Sequence, residues 1–367
     1  MSVVIPALTA LLAAVFTVLL VDQWRDRHHG FQLAWAVGTL CYTLGSGAEA
    51  VAAATGWSEP LYRTWYLAGG VMTAAWLGLG TGFLLARTRF GYTYAALFLL
   101  GGLIALASAL SPKYAGAGPL PLAYAGGTLV AAVAVFGLAY RWSGAWVRVA
   151  AALVAALTLA GIAIAVTMPP LPAPGYSLNG AGQPTGDAMP ASLHVLAVVM
   201  NIPGGMALLL GAVFSAYVFM PKHRVVAYSL DRGQPAGRLL ANLLLALPAI
   251  AVNLVASLPA AARDLRAGRL HSRVPATLLI AAGALVPTAT DSLSVAGATA
   301  ISAMARLVGI VLLLGGFLVS TEVFREVRVP FTSVRLGATG RARARERDAV
   351  AAVAAGAPAE TGEAGGH

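Results

Sequence analysis

One carboxylate, Glu49, falls inside LCYTLGSGAEAVAAATGW (40–57), an otherwise apolar run. A charge of this kind costs about 2.5–3.5 kcal/mol at the centre of a bilayer even on the lenient insertion scale, so it needs a partner or a task. The chemistry open to it is cation binding, proton coupling or acid–base work. Around it Gln32, Trp35, Thr39, Tyr42, Ser46 and Glu49 recur at alternating spacings of 3 and 4, which places all six on one face of a single helix. A polar seam facing lipid would leave several hydrogen-bonding groups unpaired, so this one must face other helices or a wet cavity. Thr39 and Ser46 read as interhelical hydrogen-bonding residues. For Glu49, an ion pair near the outer rim and a functional site are both open.

Two cations compete for Glu49. Arg63, in LYRTWYL (61–67), stands at the outer mouth of the next helix and is the first expected partner, with Trp57, Trp65 and Tyr66 as interfacial anchors. Arg306, in ISAMARLVGIVLLLGG (301–316), is the second. In a continuous helix over 294–320 it would lie roughly 18 Å in from the outer end, near the midplane. If the span begins near 303 instead, it snorkels outward.

A second irregularity lies in SLHVLAVVMNIPGGMALLL (192–210). His194 and Asn201 share a face, and Pro203 removes a backbone donor immediately before Gly204 and Gly205. The helix is expected to kink or unwind there, and broken helices near the midplane form ligand sites in transporters. A plain proline kink satisfied by neighbours is the alternative. His194 reads as a hydrogen-bonded outer residue, with a proton-shuttling role beside Glu49 as the sharper option.

These residues need a membrane to make sense. The 367-residue chain is 59% hydrophobic and 10% charged, against about 25% charged in a soluble domain. Apolar runs of 17 residues or more recur, which implies an all-α, polytopic transmembrane bundle and excludes a transmembrane β-barrel. The expected spans are 3–21, 31–54, 64–86, 92–110, 121–140, 148–167, 191–219, 274–290 and 294–320, about nine in all. They form a seven-helix unit (1–220), a basic loop (221–273) and a closing hairpin (274–320) whose outer turn is VPTATDS (286–292). The loop contains a segment, 239–260, that reads as re-entrant or interfacial because Pro248 favours a broken helix and arginines flank both its ends. A basic tail follows from 321, expected to be disordered from about 350.

Arginines concentrate in loops 22–30, 87–91 and 141–148, while 168–190 has no Lys or Arg. By the positive-inside rule the N-terminus is outside and the C-terminus cytoplasmic. The first span lacks a positive n-region and reads as a retained helix rather than a signal peptide. The 22 arginines against 2 lysines, amid abundant alanine and glycine, follow the habit of a GC-rich bacterial genome, so the expected location is a bacterial inner (plasma) membrane.

Several classes are set aside. Cys41 is the single cysteine and the six histidines show no ligand spacing, so no metal site or cofactor is expected. Lys113 and Lys222 both fall in loops, which leaves no intramembrane lysine for a retinal Schiff base. GLGTG (78–82) follows no strand and reads as close helix packing rather than a nucleotide loop. No catalytic constellation is evident. The net charge of +10 sits beside the membrane, which points to anionic lipid headgroups and away from nucleic acid. A protein partner is left open. The expected function is small-molecule or ion binding or transport through an outward-facing polar cavity around Glu49, with Tyr42, Ser46, Arg63, Tyr66, His194, Asn201 and Arg306 as candidate residues. The alternatives are a membrane scaffold or sensor subunit and, behind it, a membrane enzyme acting on a lipid-like substrate.

Overall fold

A computed structural model of the protein describes residues 3–114, 118–142, 144–180, 182–221, 223, 225–226, 235–267, 273–295, 302–319, 327–328 and 335–336. The first seven helices are α1 (Val4–Arg27), α2 (Gly30–Thr55), α3 (Glu59–Leu84), α4 (Phe90–Ala109), α5 (Leu120–Arg141), α6 (Trp146–Thr167) and α7 (Ala191–Phe219). A long α8 (Ala236–Arg266) follows, then α9 (Arg273–Val295) and α10 (Ser302–Val319). Among the described residues the only ladder of paired strands is two residues long, Val327–Arg328 against Arg335–Leu336. The tail segment expected to be disordered lies outside the described residues.

Six helices are long and apolar enough to cross a membrane, namely α1, α3, α4, α5, α6 and α7, which fits a multi-pass membrane protein. Of the nine expected spans, α2 is long enough but is not among the six; its polar seam dilutes its apolar content. The described apolar parts of the hairpin helices are shorter, Val274–Val286 and Ala303–Val319.

Helices α3 and α7 are central. α1 and α2 pack on one side of them, α4, α5 and α6 on the other, and the α9–α10 hairpin closes over α7 and α1. Small residues set the distances. A Cβ on Gly78 of α3 would stand 2.1 Å from the Gly204 carbonyl oxygen of α7, so GLGTG is a packing motif, as its apolar surroundings imply. The hairpin closes similarly, with a Cβ on Gly316 falling 2.7 Å from the Ala276 oxygen. At its inner edge Phe317 of α10 meets Phe16 of α1 and Trp35 of α2, with ring centroids 4.9 and 4.5 Å away.

Three local expectations are corrected. First, α7 does not unwind at Pro203–Gly205 but is helical from Ala191 to Phe219. The proline ring fits because its neighbour on α4 is Gly101, where a Cβ would lie 2.8 Å from the ring. Gly204 serves close packing with Ala74 and Ala75, and Gly205 has open space. Second, 239–260 is not broken at Pro248, since α8 continues through Pro248 and Pro259. A single proline removes one rung from the hydrogen-bond ladder, and the rest of a 31-residue helix holds on either side. Third, VPTATDS (286–292) is not a turn, because α9 remains helical to Val295.

The irregularity appears elsewhere. Trp65–Met72, an eight-residue stretch of α3, is a π-helix. Its wider turn leaves backbone groups to be satisfied from outside the ladder: Asn201 of α7 donates to the Gly70 carbonyl, and the Thr73 hydroxyl donates to the Ala68 carbonyl at 2.9 Å.

Candidate functional site

The seam of α2 is buried along most of its length and faces other helices. Its lower half joins α2 to α1 and α3. The Thr17 hydroxyl donates to Thr39 at 2.9 Å, the Trp35 indole donates to the Leu77 carbonyl at 3.0 Å, and the Gln32 amide donates to Gln23 at 3.3 Å. These are interhelical hydrogen bonds of ordinary kind, as expected for Thr39. Ser46 is buried higher up the same face.

The upper half holds the charge. Glu49 is 4% exposed, and each of its oxygens accepts from a different helix. The Trp65 indole of α3 donates to Oε1 at 2.8 Å, and Arg306 Nη2 of α10 donates to Oε2 at 3.0 Å. The Tyr42 hydroxyl, two turns below Glu49, donates to the Arg306 main-chain carbonyl at 3.0 Å. Arg306 is thereby held by both its backbone and its side chain, while 22% of that side chain remains exposed. The described part of α10 begins at Ser302, and Arg306 lies in its second turn, about 6 Å along it.

Two features of the packing bring Trp65 to the carboxylate. A Cβ on Gly45 would lie 2.7 Å from Gly69 Cα, so α2 and α3 touch backbone to backbone just below Glu49. The π-helix begins at Trp65 itself and alters the direction in which residues 65–72 project.

Arg63, the first expected partner of Glu49, is engaged elsewhere. Its guanidinium pairs with Glu59 one turn back and donates to the carbonyls of Ala165 at 2.7 Å and Pro169 at 2.9 Å. Glu59 also accepts the Leu171 N–H at 2.9 Å. The reason is local: an i,i+4 carboxylate is within reach without any helix rearrangement, and the end of α6 offers free carbonyls. Arg63 and Glu59 fasten the start of the 168–190 loop, at Pro169 and Leu171.

Tyr66 and His194 form a separate cluster with Tyr114. The His194 ring is stacked with Tyr114 and edge-on to Tyr66, both at 5.9 Å, and Nδ1 lies 3.2 Å from the Pro190 carbonyl. The loop 168–190 covers this group. A Cβ on Gly186 would lie 2.8 Å from the Tyr66 ring, and Tyr62 bonds Ser177 at 2.8 Å and the Thr185 carbonyl. Asn201 is bonded to α3, so the face it shares with His194 does not become one site.

Two residues take roles that the spacing does not mark. Trp65 stands where an interfacial anchor is expected, yet its indole N–H is a donor and Glu49 is a buried acceptor nearby in sequence. Asp22 falls just outside the expected first span, yet α1 extends to Arg27 and Asp22 is 5% exposed, so Glu49 is not the bundle's single buried carboxylate. Among the described residues, no group of three or more His, Cys, Asp and Glu could hold a metal ion. No family model matches the chain, and neither the curated proteins nor the solved structures provide a match.

Proposed function

We propose that this chain is a multi-pass protein of a bacterial inner membrane, with its N-terminus outside and C-terminus cytoplasmic, that binds or transports a small ion or polar molecule at Glu49. The observation that carries this reading is the set of partners around the carboxylate. One of the two donors is an arginine of the separate closing hairpin, partly exposed, beside a π-helical segment. An arginine is a resident cation, and a ligand cation or a proton that takes its place at Glu49 frees the hairpin to shift against α2. π-Helical turns recur at functional sites, and their weaker ladder lends itself to rearrangement. The Arg-poor end of the bundle, where Glu49, Arg63 and the 168–190 loop lie, would be the outward face.

The test is Glu49→Gln in the purified protein. The variant is expected to stay folded in detergent but to lose ligand-dependent thermal stabilisation across a panel of cations and small polar molecules, and proton-coupled uptake in vesicles. Wild-type behaviour of both Glu49→Gln and Glu49→Ala in every such assay would refute it.

One observation favours a second reading, a scaffold or sensor subunit. Both Glu49 oxygens already have protein donors, which suits a permanent clasp between bundle and hairpin. Under that reading Glu49→Gln loosens the hairpin and changes no ligand response. An enzyme has less support, because His194 is grouped with Tyr66 and Tyr114 rather than with Glu49.

A further inference from the structure

Helix α8 is built the opposite way round from a helix of a water-soluble protein. Its inward face carries Ala249, Asn253, Ser257 and Ala261, all buried and four residues apart. Asn253 is 0% exposed and fully occupied by backbone: its Oδ1 accepts the N–H groups of Val225 and Val226 at 2.8 and 2.9 Å, and its Nδ2 donates to the Val226 carbonyl at 2.8 Å. Ser257 accepts the His223 N–H at 2.9 Å. Asn253 and Ser257 thus hold the chain that leaves α7.

The outward face is apolar. Leu245, Val252, Val255 and Leu258 are exposed, Val255 by 64%, and Pro248 and Pro259 lie among them. Positions 245, 248, 252, 255 and 259 follow the alternating 3 and 4 spacing of a single helical stripe. Arg238 in the first turn and Arg263 and Arg266 in the last are also exposed. An apolar stripe of this length between basic ends calls for a partner that is apolar within and anionic at its surface.

The place of α8 in the fold identifies that partner. One buried cluster joins Ala216, Tyr217 and Met220 at the end of α7, Ala261 of α8 and Val274 at the start of α9. The helix is therefore pinned at the level where one apolar helix ends and another begins. At 31 residues it is roughly 46 Å long, more than the ~30 Å hydrocarbon core requires. We infer that α8 lies flat in the membrane surface, its apolar stripe among the acyl chains and its terminal arginines on anionic phospholipid headgroups. The inference rests on the membrane reading above but not on the role of Glu49.

The experiment uses the full chain on a Cys41→Ser background, reconstituted in vesicles of phosphatidylcholine with or without phosphatidylglycerol. Single cysteines replace Leu245, Val252 and Val255 in turn and carry an environment-sensitive fluorophore. Quenching is compared for lipids spin-labelled near the headgroup, lipids spin-labelled deep in the chain, and aqueous iodide. All three positions are expected to be quenched by the shallow label to the same degree, weakly by the deep label and not by iodide. Phosphatidylglycerol should increase the shallow quenching, and the combined Arg238→Gln, Arg263→Gln and Arg266→Gln variant should lose that increase. A graded depth along the helix, reaching about 15 Å between positions 245 and 255, means that α8 crosses the membrane and overturns the inference. Iodide quenching, or energy transfer between labelled copies that falls on dilution with unlabelled protein, assigns the stripe to water or to a second copy and overturns it equally. Unchanged quenching in the arginine variant overturns the headgroup contact. A cysteine at Val133, 74% exposed on α5, is the control. If that site also escapes the deep label, the membrane reading has failed; if only α8 escapes lipid, the inference alone has failed.

Discussion

Glu49 and Arg306 are 257 residues apart in the chain and 3.0 Å apart in the fold, and their ion pair joins α2 to α10. A buried carboxylate between two helices must be matched by donors, and here α3 supplies the indole and α10 the cation. The Tyr42 bond to the Arg306 backbone fixes the register of α10 against the seam independently of charge.

Charge exchange tests the pair. Removing one member of a buried ion pair costs about 3–5 kcal/mol, and the partial exposure of Arg306 puts this one near the lower end. Glu49→Arg and Arg306→Glu should each lower the unfolding temperature in detergent, and the double variant should recover part of the loss. Glu49→Arg combined with Arg63→Glu should recover none, since Arg63 is bound to Glu59 and to the carbonyls of Ala165 and Pro169.

Trp65→Phe keeps the ring and deletes its donor. A hydrogen bond to a charged group contributes about 1.5–3 kcal/mol, so a loss in that range is expected by thermal unfolding. The losses of Trp65→Phe and Arg306→Gln should not be additive, because both act on one carboxylate. Strict additivity in the double-mutant cycle would argue that the two donors do not share Glu49.

Backbone contact at Gly45 sets the α2–α3 distance. Gly45→Val must push α3 away and should cost about 1–3 kcal/mol, with loss of the Trp65 bond to Glu49. Gly47→Ala, facing open space two residues on, is the matched control and should be neutral in the same melting assay.

The 168–190 loop is fastened by Tyr62, whose hydroxyl bonds Ser177 and the Thr185 carbonyl. Tyr62→Phe removes about 1 kcal/mol of local support. Limited proteolysis should cut 168–190 faster in the variant, while the melting temperature of the bundle changes little. Equal cleavage rates would show that the loop is held by Arg63 and Glu59 alone.

Composition and periodicity alone determined a good deal. Apolar runs implied a helical membrane protein, the 3 and 4 spacing turned the α2 seam inward, and GLGTG marked one close helix contact. These are properties of residues near one another in the chain, where one helix geometry converts spacing into a face. The partner of Glu49 was not of that kind. Arg63 was close in sequence and Arg306 distant, and which one arrives depends on how α10 packs beside α1 and on an i,i+4 competitor at Glu59. The π-turn at Trp65 was less visible, because PGG on α7 carries the stronger signal for a broken helix while WYLAGG carries a glycine pair without a proline. Gly101 gave Pro203 room, and close contact with α2 and α7 accompanied the wider turn in α3. Tertiary packing decided which helix stayed regular, since the energy of a single missing or widened backbone turn is smaller than that of the side chains packed around it.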